Sequence, residues 1–418
     1  MGVRILLLGS GAREHAILTA LLAEGAGHEI TVAPGNAGIA ADAETIRLDP
    51  ENPVIIADFA ADNDIELVII GPEAPLVAGV ADTVRRRGIP VFGPSKAAAQ
   101  LESSKSFAKR IMDAAGIPTG RAVRTGTLED VAAALDEFGA PYVVKADGLA
   151  AGKGVLVTDD RDAALAHAEH YLQLGPVLIE EFLDGQEVSL FLLADGTTVL
   201  PLSPAQDYKR VGDGDTGPNT GGMGASSPLP WLPAGFVDEV VATVALPVIR
   251  QLAAEGTPFS GLLYCGLIVT AKGLRVIEFN ARFGDPETQV VLPRLVTPLS
   301  GLLLSAATGA LGGLPHPEFS DDVCVAVVLA SEGYPDAPQT GRAITGLEAA
   351  AAVPGVRVLH AATARDGDRI VATGGRLLNV VATAGDFAEA RARAYRALEA
   401  IHLEGAHYRT DIAARVLS

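Results

Sequence analysis

A chain of 418 residues that is 49% apolar is long enough for several hydrophobic cores, and at roughly 150 residues per domain it suggests about three. A net charge of −19 repels a polyphosphate backbone, and no basic stripe is interleaved with aromatics, so nucleic acid is excluded as a partner and any phosphate must be bound locally. No apolar run approaches the roughly 18 residues of a membrane span and no leader-like segment follows Met1, so a cytoplasmic protein with no membrane contact is expected. The two cysteines, Cys265 and Cys324, stand far apart in apolar surroundings, where reduced packing residues are expected rather than a metal site or disulfide framework.

The first hundred residues alternate between strand and helix patterns. Strands are predicted from Val3 to Leu8, Glu29 to Ala33, Leu67 to Ile70 and over Val91-Phe92, with helices from about Arg13 to Ala23 and Val77 to Arg87; this is a parallel α/β sheet. Its strands run into the turns Gly9-Ser-Gly11, Pro34-Gly-Asn-Ala-Gly38, Gly71-Pro-Glu-Ala-Pro75 and Gly93-Pro-Ser-Lys96, at the strand ends where such folds gather ligands. A helix from Lys105 to Ala115 follows, then strand, glycine loop and helix up to about Glu187, and longer strands with hairpin turns at Asp195-Gly196 and Lys272-Gly273. Between them, Asp207 to Gly224 holds six glycines in eighteen residues, a composition that predicts a functional loop and no regular element. After Pro315-His-Pro317 come strands from Val323 to Ala330 and Leu377 to Ala382 and a helix from about Asp386 to His402. The expected division is residues 1–102, 103–317 and 318–418, with no internal repeat or coiled coil.

Gly9-Ser10-Gly11 after an apolar strand suggests a dinucleotide turn, but Glu14 stands in the third glycine position and Val32-Ala33-Pro34 offers no ribose-binding acid, which argues against a nicotinamide cofactor. Backbone N–H groups at the helix start remain able to hold a phosphate, and a purely steric turn is the plain alternative. Lys145 ends the apolar run Tyr142-Val-Val-Lys and leads into a loop with Gly148, Gly152, Lys153 and Gly154, where a lysine and glycine N–H groups can surround phosphates; the spacing is not that of a Walker A loop. In Val177-Leu-Ile-Glu-Glu-Phe-Leu183, adjacent side chains of a strand point to opposite faces, so Glu180 and Glu181 cannot share one role. One can approach an adenine amine while the Phe182-Leu183 backbone pairs with the ring, and Glu187 is placed to hold ribose hydroxyls. Glu278 and Asn280 share a strand face with Ile277 and Phe279 on the other, and two oxygen ligands at that spacing suit a hard cation such as Mg²⁺ that completes its shell with phosphates and water. Arg282, Asp285 and Glu287 follow, and an arginine there can clamp a carboxylate. His15 is the one histidine beside a candidate ligand turn, and a partly buried, hydrogen-bonded structural role is expected for it. No enzyme nucleophile is in view, which suits phosphoryl transfer, a reaction of positioning and charge neutralisation.

Six segments together resemble the phosphoribosylamine-glycine ligase family of ATP-grasp enzymes: Gly9-Ser-Gly-Ala-Arg-Glu-His15, Pro34-Gly-Asn-Ala-Gly38, Gly71-Pro-Glu-Ala-Pro-Leu-Val77, Lys145-Ala-Asp-Gly-Leu-Ala-Ala-Gly-Lys-Gly154, the glycine-rich run from Gly212 to Gly224, and Phe279-Asn-Ala-Arg-Phe-Gly-Asp-Pro-Glu-Thr-Gln289. Ala12 and Tyr208 depart from the family's usual glycine and histidine. The resemblance implies an N-terminal α/β domain, an ATP-grasp domain whose smaller part, about residues 119–187, is a moving lid, and a C-terminal α+β domain. It implies that ATP phosphorylates glycine to glycyl phosphate, which 5-phosphoribosylamine attacks to give glycinamide ribonucleotide, ADP and phosphate, in purine biosynthesis. By the same resemblance Lys105, Lys145 and the loop of Gly148, Gly152, Lys153 and Gly154 hold ATP phosphates; Glu180, Glu181 and the Phe182-Leu183 backbone hold adenine and Glu187 its ribose. Glu278 and Asn280 ligate Mg²⁺ or Mn²⁺. Arg282 faces the glycine carboxylate or the charge on the acyl phosphate, with Asp285, Asp207 and Lys209 at the reacting centre. Gly9, Ser10, Gly11, Arg13, Gly35 and Asn36 take the ribosyl phosphate, Glu73 the sugar hydroxyls, and Asp213 and Glu287 the rest of the substrate. A monomer is expected, with transient hand-over from the enzyme that makes phosphoribosylamine. The rival readings are an ATP-grasp carboxylase that phosphorylates bicarbonate and a nucleotide-binding regulator without chemistry.

Overall fold

The computed structural model describes residues 2–148 and 154–417. Strand Arg4–Gly9 is apolar at every step from Ile5 to Leu8, and all four of these side chains are fully buried. Such a run needs helices on both faces of its sheet, and Leu6 and Leu8 enter one core while Ile5 and Leu7 enter another. The sheet is parallel throughout, in the spatial order Glu44–Thr45, Glu29–Pro34, Arg4–Gly9, Leu67–Ile70, Val91–Phe92. The helix expected from Val77 to Arg87 is two, Glu73–Ala78 and Val80–Arg86, because Gly79 between them adopts φ +88°. A helix absent from the sequence reading, Pro53–Asp62, starts on Asn52, whose side chain accepts the Val54 and Ile55 N–H groups.

Two antiparallel sheets follow. The smaller has the order Ala122–Thr125, Val177–Glu180, Tyr142–Ala146, Val155–Thr158, and with helices Leu128–Phe138 and Arg161–Leu172 it encloses its own apolar cluster around Leu135, Val144 and Ile179. The larger has the order Val199–Pro201, Gly185–Asp195, Ser260–Thr270, Gly273–Asn280. A bulge interrupts its last pairing, where Gly266 faces Glu278 but Leu267 faces Val276. Ile277 is therefore an extra residue and not the partner of Phe279 on the apolar face: Leu274, Val276 and Phe279 enter the core and Ile277 does not.

The glycine-rich region corrects the sequence reading, since it contains regular structure. Gln206–Asp207 and Gly224–Ser227 pair with each other and join the C-terminal sheet, whose order continues Val323–Ala330, Arg376–Ala384, Val356–His360, while Arg210–Gly212 and Thr216–Asn219 form a hairpin between them. The missing side chains are what permit the pairing: a Cβ on Gly224 would lie 2.6 Å from the Ala326 carbonyl oxygen. Helix Phe387–Ala400 covers the C-terminal sheet, and Cys265 and Cys324 are buried and unpaired, as expected. Among the described residues no helix is long and apolar enough to cross a membrane.

His360, at the end of its strand, packs against His15 of the N-terminal unit, with ring centroids 5.9 Å apart. Burial, helped by neighbouring His15 and only partly opposed by Asp42, pushes the His360 imidazole down to about 4 from an ordinary 6.5. The folded protein thus keeps the ring neutral where the unfolded chain takes up a proton, so the stability it confers is complete above about pH 6.5 and is lost as pH falls toward 4, by roughly 3 kcal/mol. Denaturant unfolding at pH 7 and about pH 4.5 should show a smaller acid-induced loss for His360→Gln than for the unsubstituted protein; equal losses would contradict it.

Candidate active site

Lys145 and Glu180 lie diagonally across the paired strands of the small sheet, where long side chains on one face meet. Both are buried, and Lys145 Nζ stands 2.6 Å from Glu180 Oε2. The same ammonium donates to the Ile277 carbonyl at 3.5 Å, so it ties the small sheet to the bulge of the large one just before Glu278. Two more lysines close the cluster. Lys109 Nζ is 3.4 Å from Glu180 Oε1 and donates to Thr119 Oγ1 and the Gly120 carbonyl, and Lys105 Nζ donates to the Gly148 carbonyl at 3.0 Å. Burial lowers the Lys105 and Lys109 pKa values against the pull of Glu278 and Glu180.

Burial would raise the Glu278 pKa, yet Lys209, Lys145 and Lys105 together turn the shift downward and hold it ionised. No lysine or arginine among the described residues reaches ion-pair distance of its oxygens. A half-buried, ionised carboxylate without a direct cation among the described residues, two residues from Asn280, fits a divalent cation that takes few protein ligands and fills its shell with phosphate and water. No group of three or more His, Cys, Asp or Glu placed to hold a metal occurs among the described residues.

Beside this pair, Lys209 Nζ donates to Glu187 Oε2 at 2.6 Å and lies 3.9 Å from Asp207 Oδ1. Burial and the repulsion of Glu287, Glu187 and Glu278 raise the Asp207 pKa although Lys209 opposes them, and despite burial Asp207, Glu187 and Glu278 hold the Lys209 pKa well above its ordinary value. Glu287 is buried under Tyr264 and Ser189, whose hydroxyls donate to Oε1 at 2.5 and 3.0 Å. Arg282 is gripped on its other side: Nη2 is 2.9 Å from Glu102 Oε1 and Nε 3.4 Å from Glu73 Oε2, and Glu102 Oε2 also accepts the Ala281 N–H at 2.8 Å. Burial raises the Glu102 pKa, while Arg282 and Arg13 outweigh burial at Glu73 and lower it.

A cavity of about 390 Å³ opens beyond Asp285. Ser10, Gly11, Gly35 and Asn36 form its N-terminal wall; Tyr334, Thr363, Thr373 and Arg376 belong to the facing C-terminal wall. Arg376 Nη2 lies 3.2 Å from Asp285 Oδ2 and its Nη1 donates to the Gly221 and Asp285 carbonyls at 2.5 and 3.0 Å.

Several residues expected at the site do other work. The Gly11 N–H, expected to be open to a phosphate, donates to Glu14 Oε2 at 2.6 Å, and Gly9 and Gly71 leave the space in which that carboxylate sits. Arg13 is buried on Glu14 Oε1 and the Phe283 carbonyl, away from the cavity. Asn36 uses its amide on the Ser10 and His360 carbonyls and its oxygen on the Gly38 and Ile39 N–H groups. Asp213 binds the Thr410 N–H and hydroxyl, Glu181 turns outward to Arg121, and the Glu73 carboxylate sits on Arg282. Gly152 and Lys153 lie outside the described residues. Tyr208 packs under Arg409 and accepts the Ala413 N–H, so that departure from the family pattern falls on C-terminal packing.

Family models of phosphoribosylglycinamide synthetase match the chain in three blocks, the N domain over residues 3–102, the ATP-grasp (A) domain over 103–288 and the C domain over 324–415. The chain belongs to the phosphoribosylglycinamide synthetase family. Similar relatives named phosphoribosylamine–glycine ligase come from Leifsonia xyli, 72% identical and covering 99% of this chain and 100% of the relative, and Streptomyces coelicolor, 57% identical over 99% of each. A solved phosphoribosylamine–glycine ligase from Thermotoga maritima superposes with a TM-score of 0.83 at 34% identity, covering 98% of this chain and 100% of the other. A biotin carboxylase domain from Hydrogenobacter thermophilus, solved with ADP, magnesium and bicarbonate, shares the fold at TM-score 0.73 and 19% identity, covering 98% and 92%. As a member of an ATP-grasp family, this synthetase uses ATP with a divalent metal.

Lys145→Met should leave the far-ultraviolet circular dichroism spectrum intact and weaken metal–ATP binding by calorimetry about 30- to 150-fold, the loss of a charge-assisted contact of about 2–3 kcal/mol. Unchanged affinity would remove Lys145 from the nucleotide site.

Proposed function

We propose that this synthetase joins glycine to 5-phosphoribosylamine at the expense of ATP, in de novo purine biosynthesis. The observation that carries the reading is the meeting of Lys145, Glu180 and the Glu278–Asn280 strand end, which alternates cations and carboxylates on strand ends, in a chain that also opens a cavity between Ser10 and Arg376. Membership of the family and the identity of its relatives support the substrates.

In this reading a glycine carboxylate oxygen attacks the γ-phosphorus of ATP, the bond to the β-phosphate oxygen breaks, and glycyl phosphate and ADP result. The amine of phosphoribosylamine then attacks the glycyl carbon, phosphate leaves, and the nitrogen sheds a proton. Lys105 and Lys145 neutralise the polyphosphate, and Gly148 and Gly154 stand near it. Glu180 acts by fixing Lys145 and Lys109, which leaves the adenine edge to the backbone from Glu181 to Leu183, and Glu187 meets the ribose. Glu278 and Asn280 would hold Mg²⁺ or Mn²⁺, which supplies charge neutralisation of the transferring phosphoryl group. Arg282, held by Glu102, faces the glycine carboxylate and the charge that develops on it. Asp207, with its raised pKa, can hold the proton that the attacking amine loses while Lys209 orients it. Residues 119–187, which enclose a separate apolar cluster, act as a lid that keeps water from the acyl phosphate. The substrate phosphate occupies the cavity between Ser10 and Arg376. The unit 1–102 supplies one cavity wall, 103–317 the ATP site and 318–418 the other wall; the chain works as a monomer in the cytoplasm.

The test is ADP release with Mg·ATP and freshly generated phosphoribosylamine, with glycine present or replaced by bicarbonate. Glycine-dependent ADP and a glycylated product are expected; dependence on bicarbonate would move the chain to carboxylase chemistry. In the same assay Glu102→Gln should raise KM for glycine about tenfold or more, the weakening of a charged contact by at least about 1.4 kcal/mol, with KM for ATP unchanged.

A further inference from the structure

One face of the 390 Å³ cavity comes from the N-terminal unit and the other from the C-terminal unit, so its shape depends on how the two are joined. The join is made by a histidine that does not line the cavity. His15, in the first turn of helix Ala12–Ala23, is buried, and its Nδ1 accepts the His360 N–H at 2.9 Å. A backbone N–H can only donate, so Nδ1 carries no proton, and the neutral ring's proton lies on Nε2, 3.0 Å from Asp42 Oδ2. Asp42 therefore sets the tautomer that His360 requires.

His360 ends its strand, and the next residues, Ala361, Ala362 and Thr363, are cavity wall. Two further contacts run alongside: Asn36 Nδ2 bridges the Ser10 and His360 carbonyls at 2.9 and 2.8 Å, and the Ala37 N–H donates to the Thr363 carbonyl at 3.3 Å. Gly38 makes the approach possible, because a Cβ there would stand 2.5 Å from both His15 Cε1 and His360 Cδ2. Each of these contacts fixes residues 360–363 against the Ser10-Gly11 turn and none serves the ATP cluster.

We infer that His15 is a positioning residue for the phosphosugar substrate: it holds the C-terminal wall at the spacing that phosphoribosylamine needs, and Asn36 acts with it without being a substrate ligand. The inference rests on the proposed function of the cavity. It separates His15 from a residue of general stability, because only one of the three substrates lies across the join.

The full-length protein would be assayed for KM toward phosphoribosylamine, glycine and ATP, together with glycine-dependent trapping of the acyl phosphate by hydroxylamine. Asparagine in place of the imidazole keeps an acceptor near Nδ1, whereas glutamine reaches the Nε2 position and leaves the His360 N–H unpaired. His15→Gln is expected to raise KM for phosphoribosylamine about tenfold or more, the loss of one buried hydrogen bond with its partner left unsatisfied, with trapping and the other two KM values within about twofold; His15→Asn should stay within about threefold throughout. An unchanged phosphoribosylamine KM in His15→Gln, or a rise in all three KM values together, would overturn the inference. So would an insoluble His15→Gln beside a soluble His15→Asn, which would assign His15 to stability alone. An unsubstituted protein with no glycine-dependent ADP release would remove the functional reading itself, and the inference with it, before any variant is compared.

Discussion

The site depends on ionised groups kept out of water at the ends of strands. A charge in a protein interior is tolerated only when neighbours of opposite sign compensate its lost hydration. Here Lys145 sits on Glu180 and Arg282 on Glu102, while the half-exposed Lys209–Glu187 pair stands at the water-facing side. Glu278, by contrast, is surrounded by Lys209, Lys145 and Lys105 at longer range, with no lysine of the described residues in ion-pair contact. The same field lowers the Glu278 pKa and raises that of Asp207, which lies among Glu287, Glu187 and Glu278. One field thus holds one carboxylate charged and pushes its neighbour toward the neutral form, and such opposed shifts mark functional sites. A polyphosphate with its metal supplies the charges that this set of residues can still compensate.

The fold builds that field from three sources. The small sheet brings Lys145 and Glu180, the large sheet brings Glu187 and Glu278, and the glycine-rich region brings Asp207, in a strand that joins the C-terminal sheet, with Lys209 just after it. The bulge at Ile277 matters at this meeting point, since its carbonyl receives the Lys145 ammonium beside Glu278. Because Asp207 is paired to Ala225 and Ala225 to Ala326, a shift of the C-terminal sheet would move Asp207 directly. Arg376, which reaches from that sheet to Asp285, adds a second such link.

Much of this was legible in the sequence. Lys145, Glu180, Glu278 and Asn280 announce themselves as polar residues at the ends of apolar strands, and the structure pairs the first two in the interior next to the half-buried Glu278 strand end. Glu102, Lys109, Tyr264 and Arg376 were not legible, because each stands in an unremarkable helix or strand and gains its part only from partners many residues away. Composition misled at the glycine-rich region, where paired strands stand beside turn glycines: Gly224 lets the strands approach closely, and Gly214, Gly217 and Gly222 take positive φ; it misled also at Gly79, which splits a helix that periodicity alone would run through. Asn36 and Asp213 looked like ligands because they sit in polar turns. Their hydrogen bonds instead hold the N-terminal and C-terminal segments together.

The most direct measurement is a crystal structure with Mn²⁺ and a non-hydrolysable ATP analogue, read by the anomalous signal of the metal. A peak bonded to Glu278 and Asn280, with Lys145 and Lys105 turned onto the phosphates, is the expected result. A metal bound elsewhere, or a nucleotide lying away from the junction of Lys145 and Glu278, would contradict the central claim that these strand ends form the phosphoryl-transfer site.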